Sequence, residues 1–181
     1  MAPSEATWAR ELSDTILKHQ AASTWISELK EIVTESSVYE APVADTVFNI
    51  ILCGDTSLDN EKDIDGLRRG LRLLEDTGLS DVELWMEDLQ SPGDIYHVVQ
   101  RIQSRAEKFR LFVSAAGFVG YAPEETQEQD SLPIFFGAST PFIIRPLDNG
   151  RYRFLGPAYV EGIMMGEFMK GDYVEETFNL E

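Results

Sequence analysis

The residues best suited to chemistry lie close together in the last third of the chain. Arg145 ends an apolar segment, Tyr159 and Glu161 follow a bend at Pro157, and Glu167 comes after a pair of methionines. An arginine or a tyrosine in an apolar cavity can donate hydrogen bonds to a substrate carbonyl and so polarise it. Because holding a reactive substrate in the right shape also speeds its reaction, such a site needs no cofactor. We take Arg145, Tyr159 and Glu167 as the candidate catalytic residues.

Neighbouring side chains would give such a cavity its apolar shape, and methionine suits this task because it is flexible and polarisable. The candidate ligand-pocket residues are Phe135, Phe142, Pro157, Glu161, Met164 and Met165. A structural interpretation competes with the catalytic one. A buried arginine is normally paired, because a lone buried charge is costly. In that interpretation Arg145 forms an ion pair with Glu167, and the two brace a corner of the fold.

Other kinds of catalytic or cofactor site have little support in the sequence. The two histidines, His19 and His97, are far apart, and with one cysteine they do not give the spacing of metal ligands. We expect both histidines at the surface. Cys53 lies in an apolar run, where thiols are usually inert. No serine elbow, dinucleotide-binding glycine motif or P-loop occurs, and Gly117-x-x-Gly120 is typical of a turn. We therefore expect no metal and no cofactor.

The charge and size of the chain narrow the classes of protein it could be. The sequence has 181 residues, with 32 acidic and 15 basic side chains and a formal net charge of −17. Such a field repels phosphate, so nucleic acid is not an expected partner. We expect no membrane span, because no stretch approaches the roughly 20 apolar residues that one needs. A single cysteine and the lack of a signal-peptide pattern favour a cytoplasmic protein. The length favours one domain over residues 1–181.

Helical periodicity dominates the first 109 residues. Residues 5–33 form two helices or one kinked helix, with residues 21–24 as the cap of a second one. The apolar run 47–53 fits a strand or a helix, and we favour the helix. Residues 61–76 form a helix that Gly78 would end, and the sequence at 91–94 resembles a helix start, with Ser91 as cap and Pro92 at the first helical position.

From residue 110 onwards, short apolar segments alternate with turn residues. The predicted strands are residues 111–115, 118–121, 132–136, 141–145 and 152–155. Asp148-Asn-Gly150 predicts a tight turn, because asparagine and glycine tolerate a positive φ angle. The predicted fold is α+β, with N-terminal helices packed on a small C-terminal antiparallel β-meander or partly open barrel.

The C-terminal segments occur in a recognisable order. They are Arg110-Leu-Phe-Val, Gly117-Phe-Val-Gly120, Pro141-Phe-Ile-Ile-Arg145 and Leu155-Gly-Pro-Ala-Tyr-Val-Glu-Gly-Ile-Met-Met-Gly-Glu167. This series resembles the C-terminal region of fungal heterokaryon-incompatibility proteins, and no motif of their N-terminal module is found. The chain has Gln129-Asp130 where the family commonly has Gly-Asp. It also departs from the family at Pro157, Glu161 and Met165, and most of the departures replace polar groups by apolar ones at one corner. That corner is either a pocket for an apolar ligand or a part of the core whose sequence has diverged without a change of function.

Two hypotheses for function follow. The first is a cofactor-independent cyclase or isomerase, for example one that performs a Diels–Alder-type cyclisation on a hydrophobic fungal metabolite such as a terpenoid or polyketide. The alternative is a protein-interaction or regulatory module related to heterokaryon incompatibility, without catalysis. We favour the enzyme at this point, because a chain of this size without the N-terminal module has a less obvious use in incompatibility. The sequence does not indicate an oligomeric state.

Overall fold

The computed structural model describes the backbone of residues 5–53, 61–76, 93–171 and 173–181, with side chains from residue 14 in the first range and from residue 63 in the second. The helices are α1 (Glu5–Glu35), α2 (Val43–Leu52), α3 (Glu61–Asp76) and α4 (Asp94–Ala106). The strands are β1 (Phe109–Val113), β2 (Val119–Pro123), β3 (Phe142–Pro146), β4 (Tyr152–Pro157) and β5 (Tyr159–Val160), and a short 3₁₀ helix spans Phe168–Lys170. Helices first and antiparallel strands afterwards confirm the predicted α+β class.

The chain divides into two compact units that interleave in sequence. The first contains Met1–Glu35 and Asp55–Ser104, and the second contains Ser36–Gly54 and Arg105–Glu181. Helix α2 therefore belongs with the β-rich unit, although it lies in the helical part of the sequence. That one domain spans residues 1–181 stays a prediction.

In the first unit, α1 is one continuous helix, and the predicted second cap at residues 21–24 is wrong. No glycine or proline interrupts residues 5–35, so nothing in the backbone forces a break. The hydroxyl of Ser23 instead lies 3.5 Å from the carbonyl oxygen of Leu74 in α3. Helix α1 buries Ile26, Leu29 and Val33 on one face, as its periodicity predicts.

The two histidines differ in their surroundings. His97 lies exposed on α4, as expected. His19 is only 2% exposed, so its predicted surface position is wrong. Its Nδ1 lies 2.8 Å from the carbonyl oxygen of Thr15, one turn earlier in α1. A histidine buried in this way satisfies one ring nitrogen with the backbone of its own helix.

The predicted ends of α3 and α4 are only partly described. Helix α4 begins at Asp94, and the amide of His97 donates a 3.3 Å hydrogen bond to the carbonyl of Gly93. The Nε of Arg69 in α3 donates to Oδ2 of Asp94 over 2.9 Å, which links the two helices. The predicted capping residues Ser91, Pro92 and Gly78 lie outside the described residues.

In the second unit, α2 confirms that the run 47–53 is helical. The helix follows Pro42 and ends at Leu52. The next residue, Cys53, caps it with a left-handed φ of 54°, and its amide donates to the carbonyl of Asn49 over 2.8 Å. Its buried side chains include Val47, Phe48, Ile50 and Ile51. Across the described ranges, none of the helices is long and apolar enough to cross a membrane.

The strands of the second unit form two small antiparallel sheets. The first has the order β1-β2-β5, and the second is the β3-β4 hairpin with an irregularity between Ile143 and Ile144. The predicted turn at Asp148-Asn-Gly150 closes that hairpin: Gly150 has a φ of 72°, and the amide of Arg151 donates to Oδ1 of Asn149 over 3.0 Å. Gly117 lies in the β1–β2 turn, whereas Gly120 lies inside β2. In the described part of the chain the strands do not close into a barrel.

The predicted strand at residues 132–136 is wrong. Only Ser131 forms a bridge, to Ile144 in β3, and the amide of Phe142 donates to the carbonyl of Pro133 over 3.0 Å. Because Pro133 has no amide hydrogen to donate, the ladder stops there. The segment still runs alongside β3, and its Leu132 and Ile134 side chains pack against the core.

Candidate functional site

The second unit contains an open groove with a volume of about 1030 Å³. That volume lies at the upper end of the range of about 300–1,000 Å³ typical of small-molecule pockets. Its floor is apolar and includes Phe112, Phe118, Leu132, Ile134, Ile143 and Ile163. Apolar side chains also stand exposed at its rim, among them Phe136 at 73% and Val174 at 93% exposure. The groove therefore presents apolar side chains to solvent.

Polar groups occupy one end and the rim of the groove. Arg110 on β1 donates from Nη1 to the carbonyl of Thr126 over 3.0 Å. The hydroxyl of Thr126 is buried at the groove and has no hydrogen-bond partner among the residues that the structure describes. The exposed carboxylates Glu128, Glu175 and Glu176 also line the groove. Among the lining residues that the structure describes, Arg110 is the one basic side chain and is engaged with the backbone, so the rim is negatively charged.

Arg145 is not among the residues that line this groove, although Asp130, which holds its side chain, is one of them. Its Nε donates to Oδ1 and its Nη2 to Oδ2 of Asp130, each over 2.8 Å, and Nη2 also donates to the carbonyl of Glu125. The Asp130 side chain is 3% exposed. The predicted ion pair between Arg145 and Glu167 is therefore wrong. Arg145 does form an ion pair, but its partner is Asp130. Two parallel hydrogen bonds fix the angle as well as the distance.

The carboxylate of Glu167 forms a hydrogen bond within its own loop. It accepts a 2.7 Å hydrogen bond from the amide of Met165, just before the 3₁₀ helix. Both residues are exposed to solvent. A carboxylate in this position stabilises a turn and has no contact with Arg145 in the described structure.

Tyr159 and Glu161 belong to a partly buried network between α2 and β5. The Tyr159 hydroxyl donates to Oε2 of Glu161 and lies 3.2 Å from the carbonyl oxygen of Asn49. The Asn49 side chain donates to Oε1 of Glu161 over 3.0 Å. The Tyr39 hydroxyl accepts the amide of Val119 over 2.7 Å and lies 3.4 Å from the carbonyl oxygen of Glu161. These bonds tie three separate parts of the chain together.

The protonation of the two phenols follows from this environment. Burial, followed by the hydrogen bond to Glu161 and its negative charge, raises the pKa of Tyr159 far above the ordinary value of 10.0. Burial also raises the pKa of Tyr39, against the lowering effect of the Val119 amide. Both hydroxyls therefore stay protonated at neutral pH. They act as hydrogen-bond donors and are poorly suited to act as bases.

The structure separates the predicted site residues. Of the predicted pocket residues, Phe135 lines the groove. Phe142 stacks between Phe135 and Phe154, with ring centroids 5.4 and 5.3 Å away. The sulfur of Met164 accepts the Val160 amide over 3.4 Å. The remaining predicted residues, Pro157, Glu161 and Met165, are not in the groove lining, nor are Arg145, Tyr159 and Glu167. That these last three act in catalysis stays a prediction.

Sequence reasoning missed Asp130 and the groove itself. Asp130 follows Gln129, whose φ of 74° is left-handed, and the related family commonly has glycine there. The match of Gln129 to a glycine position of the family was the sequence signal for a turn that fixes the carboxylate of Asp130. Of the groove-lining phenylalanines, Phe135 was predicted as a pocket residue, whereas others such as Phe112 and Phe118 carried no such signal. Within the ranges described, no three His, Cys, Asp or Glu side chains are grouped so as to hold a metal ion.

Two small antiparallel sheets that do not close into a barrel, with an apolar groove lined by their residues, define the β-rich part of the described structure. The chain belongs to the Het-6 beta-barrel domain family, whose profile matches residues 59–180. A 61-residue stretch is 33% identical to heterokaryon incompatibility protein 6, OR allele, of Neurospora crassa. That stretch is 32% of this chain, and it spans 9% of the length of the curated relative. No solved structure matches the chain. The resemblance to fungal heterokaryon-incompatibility proteins is confirmed.

The Tyr159 network yields a stability prediction. The Tyr159→Phe variant leaves a carboxylate oxygen of Glu161 without its donor, so we expect the free energy of unfolding to fall by about 1–2 kcal/mol. This free energy is measured by urea denaturation, with unfolding monitored by circular dichroism. Tyr96→Phe, at an exposed position on α4, is the matched control and should change stability by less than about 0.5 kcal/mol. Equal stability of the two variants would contradict the structural role of the network.

Proposed function

We propose that this chain is a protein-interaction module of the heterokaryon-incompatibility type, and that a partner protein binds at the groove of the second unit. The observation that carries the proposal is the exposed apolar rim, in which Phe136 and Val174 stand largely in solvent. Soluble proteins rarely expose contiguous apolar surface unless something covers it. Membership of the Het-6 beta-barrel domain family supports the same function. A cytoplasmic location is part of this proposal.

The chemistry of the candidate catalytic residues also favours binding over catalysis. Arg145 is occupied by Asp130, and Tyr159 by Glu161. Neither lies in the groove lining. A partner that covers the groove needs no such residues, because the apolar floor supplies the favourable free energy of burial.

The test identifies proteins whose association with this chain depends on the groove. The chain is expressed in Neurospora crassa with a proximity-labelling tag, as wild type and as the double variant Phe136→Asp, Val174→Asp. Leu17→Asp, at an exposed apolar position of α1, is the matched control. We expect one or more proteins to be labelled equally by wild type and control, and at least about tenfold less by the groove variant. Labelling that is the same in all three would refute the proposal.

A second candidate function is the cyclase or isomerase that acts on a hydrophobic metabolite. The volume and apolar floor of the groove favour it, since both suit a polyene substrate. Its polar groups would be Arg110 and the unpartnered hydroxyl of Thr126. To test it, the chain is incubated with a linear polyene that carries a diene and a dienophile, and product is followed by chromatography. Acceleration that Ile134→Trp abolishes would support this function, and a rate equal to that in buffer would exclude it for that substrate.

A further inference from the structure

The groove lies along a seam between two parts of the second unit. On one side is β1, the outer strand of the β1-β2-β5 sheet. On the other side is the segment that begins at Ser131 and runs beside β3. Residues of both sides line the groove. The seam is therefore the place where the strands would have to meet for a barrel to close.

The outer edge of β1 carries unpaired backbone groups. The amide of Ser114 donates to the carbonyl of Phe118 over 2.8 Å, and the register pairs Phe112 with Gly120. Because the direction of backbone groups alternates along an antiparallel strand, Leu111 and Val113 direct theirs away from β2. Among the residues that the structure describes, these groups have no backbone partner, and the Val113 side chain is 51% exposed.

The segment that begins at Ser131, across the groove from β1, also has backbone groups that point away from its neighbouring strand. Ser131 exchanges hydrogen bonds with Ile144 in both directions, over 2.8 and 3.0 Å, and Pro133 accepts from Phe142. By the same alternation, Leu132 between them directs its amide and carbonyl away from β3. The Leu132 side chain packs on the apolar core. Two strand edges whose outward backbone groups have no backbone partner within the described ranges thus border one apolar floor.

Charge and edge geometry together point to one kind of occupant. We propose that an extended segment of a partner protein, with alternating apolar and basic side chains, adds to β1 as a further strand and fills the seam. This inference rests on the proposed interaction function and specifies its mode. The apolar side chains would cover the floor, and the basic ones would meet Glu128, Glu175 and Glu176 at the rim.

A strand suits the seam better than a helix does. A helix pairs its own backbone groups internally, so it would leave the edges of β1 and of the Ser131 segment unsatisfied. An added strand pairs with such an edge and places alternate side chains in the groove. The five residues of β1 offer an edge of about 17 Å, at roughly 3.3 Å per residue. An acidic strand is disfavoured, because it would approach three carboxylates and a chain of net charge −17.

The probe is a fluorescent nine-residue peptide that alternates lysine with valine, acetylated and amidated at its ends. Binding to the full chain is measured by fluorescence polarisation. A version N-methylated at every second residue lacks the amide hydrogens of one edge, and a version with glutamate in place of lysine reverses the charge. We expect the N-methylated peptide to bind at least about tenfold more weakly, since several backbone hydrogen bonds are lost. The glutamate peptide should not bind measurably.

A pair of variants tests the edge of β1 itself. Val113→Pro removes one outward amide, which an edge strand tolerates, and should weaken peptide binding about tenfold. Val113→Thr keeps the amide and should bind within about twofold of wild type. As a measurement that needs no variant, hydrogen exchange of the Leu111 and Val113 amides in the wild-type chain should slow when the lysine peptide is added.

The outcomes separate this inference from the function on which it rests. Equal binding of the plain and N-methylated peptides, or unchanged exchange at Leu111 and Val113, would overturn strand addition. If groove-dependent partners are still labelled in cells, the interaction function stands and only its mode is wrong. If no groove-dependent partner is labelled either, both proposals fail.

Discussion

Replacing Gly120 by alanine should destabilise the second unit by about 3 kcal/mol, the upper end of the usual cost of overpacking a close-packed region. Gly120 lies in the middle strand β2, where Phe112 and Val160 are its neighbours in β1 and β5. An added Cβ would overlap the carbonyl oxygen of Tyr159 and lie 3.0 Å from the ring of Phe112. Because the backbone of β5 is the obstacle, no side-chain movement relieves the overlap.

The matched control for this variant is Gly150→Ala in the β3-β4 turn. A Cβ there meets no atom within 4 Å, but the φ of 72° is unfavourable for alanine. That conformation alone costs about 1–2 kcal/mol. Urea denaturation of both variants gives the difference. If Gly120→Ala were no worse than Gly150→Ala, the close approach of β5 to β2 would be incorrect.

Replacing Arg145 by methionine should lower the melting temperature by roughly 5–10 °C, because a buried carboxylate then loses its partner. Methionine keeps much of the side-chain length, so the main loss is the pair of hydrogen bonds to Asp130. Arg151→Met is the control, since the 3.7 Å contact of Arg151 with Glu181 is largely exposed. Surface pairs of this kind contribute little. Similar melting temperatures for the two variants would contradict the structural role of Arg145.

The same pair predicts a dependence on pH. Burial raises the pKa of Asp130, but the hydrogen bonds from Arg145 and from the Gln127 amide, together with the charge of Arg145, outweigh it and leave the pKa below its ordinary value of 3.8. A carboxyl group with a lowered pKa in the folded state stabilises the fold fully above 3.8 and loses that contribution as the pH falls further. The stability gap between wild type and Arg145→Met should therefore be constant near pH 6 and shrink below pH 3.8. A gap that persists under strong acid would contradict it.

The parts of the fold that depend on neighbours in sequence were predictable. The apolar stripe of α4, which contains Ile95, Val98, Val99 and Ile102, and the Asp148-Asn-Gly150 turn have their causes within a few residues. The errors concern partners farther away. The 132–136 segment has the composition of a strand, but pairing fails at Pro133. Arg145 needed a carboxylate, and the sequence offers 32 acidic residues without stating which one the fold brings near.

The candidate site was less predictable than the fold, for a physical reason. The groove depends on which strands pair and which edges stay open, and strand order is set by contacts between distant residues. Its lining residues, such as Phe112 and Phe118, have the same composition as an ordinary core. Tyr159 and Glu161 are polar and close in sequence, which predicted a site, whereas in the structure the Tyr159 hydroxyl donates a hydrogen bond to Glu161 outside the groove lining.

The acidic rim has a consequence for the behaviour of the purified chain. An open strand edge beside apolar surface is the kind of feature through which identical molecules stick together. Two copies that approached through their seams would bring Glu128, Glu175 and Glu176 of each face to face. In dilute buffer this repulsion acts over about 10 Å or more, whereas in molar salt it is screened within about 3 Å. The chain should therefore remain dispersed at low ionic strength and self-associate as salt is added, the opposite of the usual practice of adding salt to keep a protein in solution.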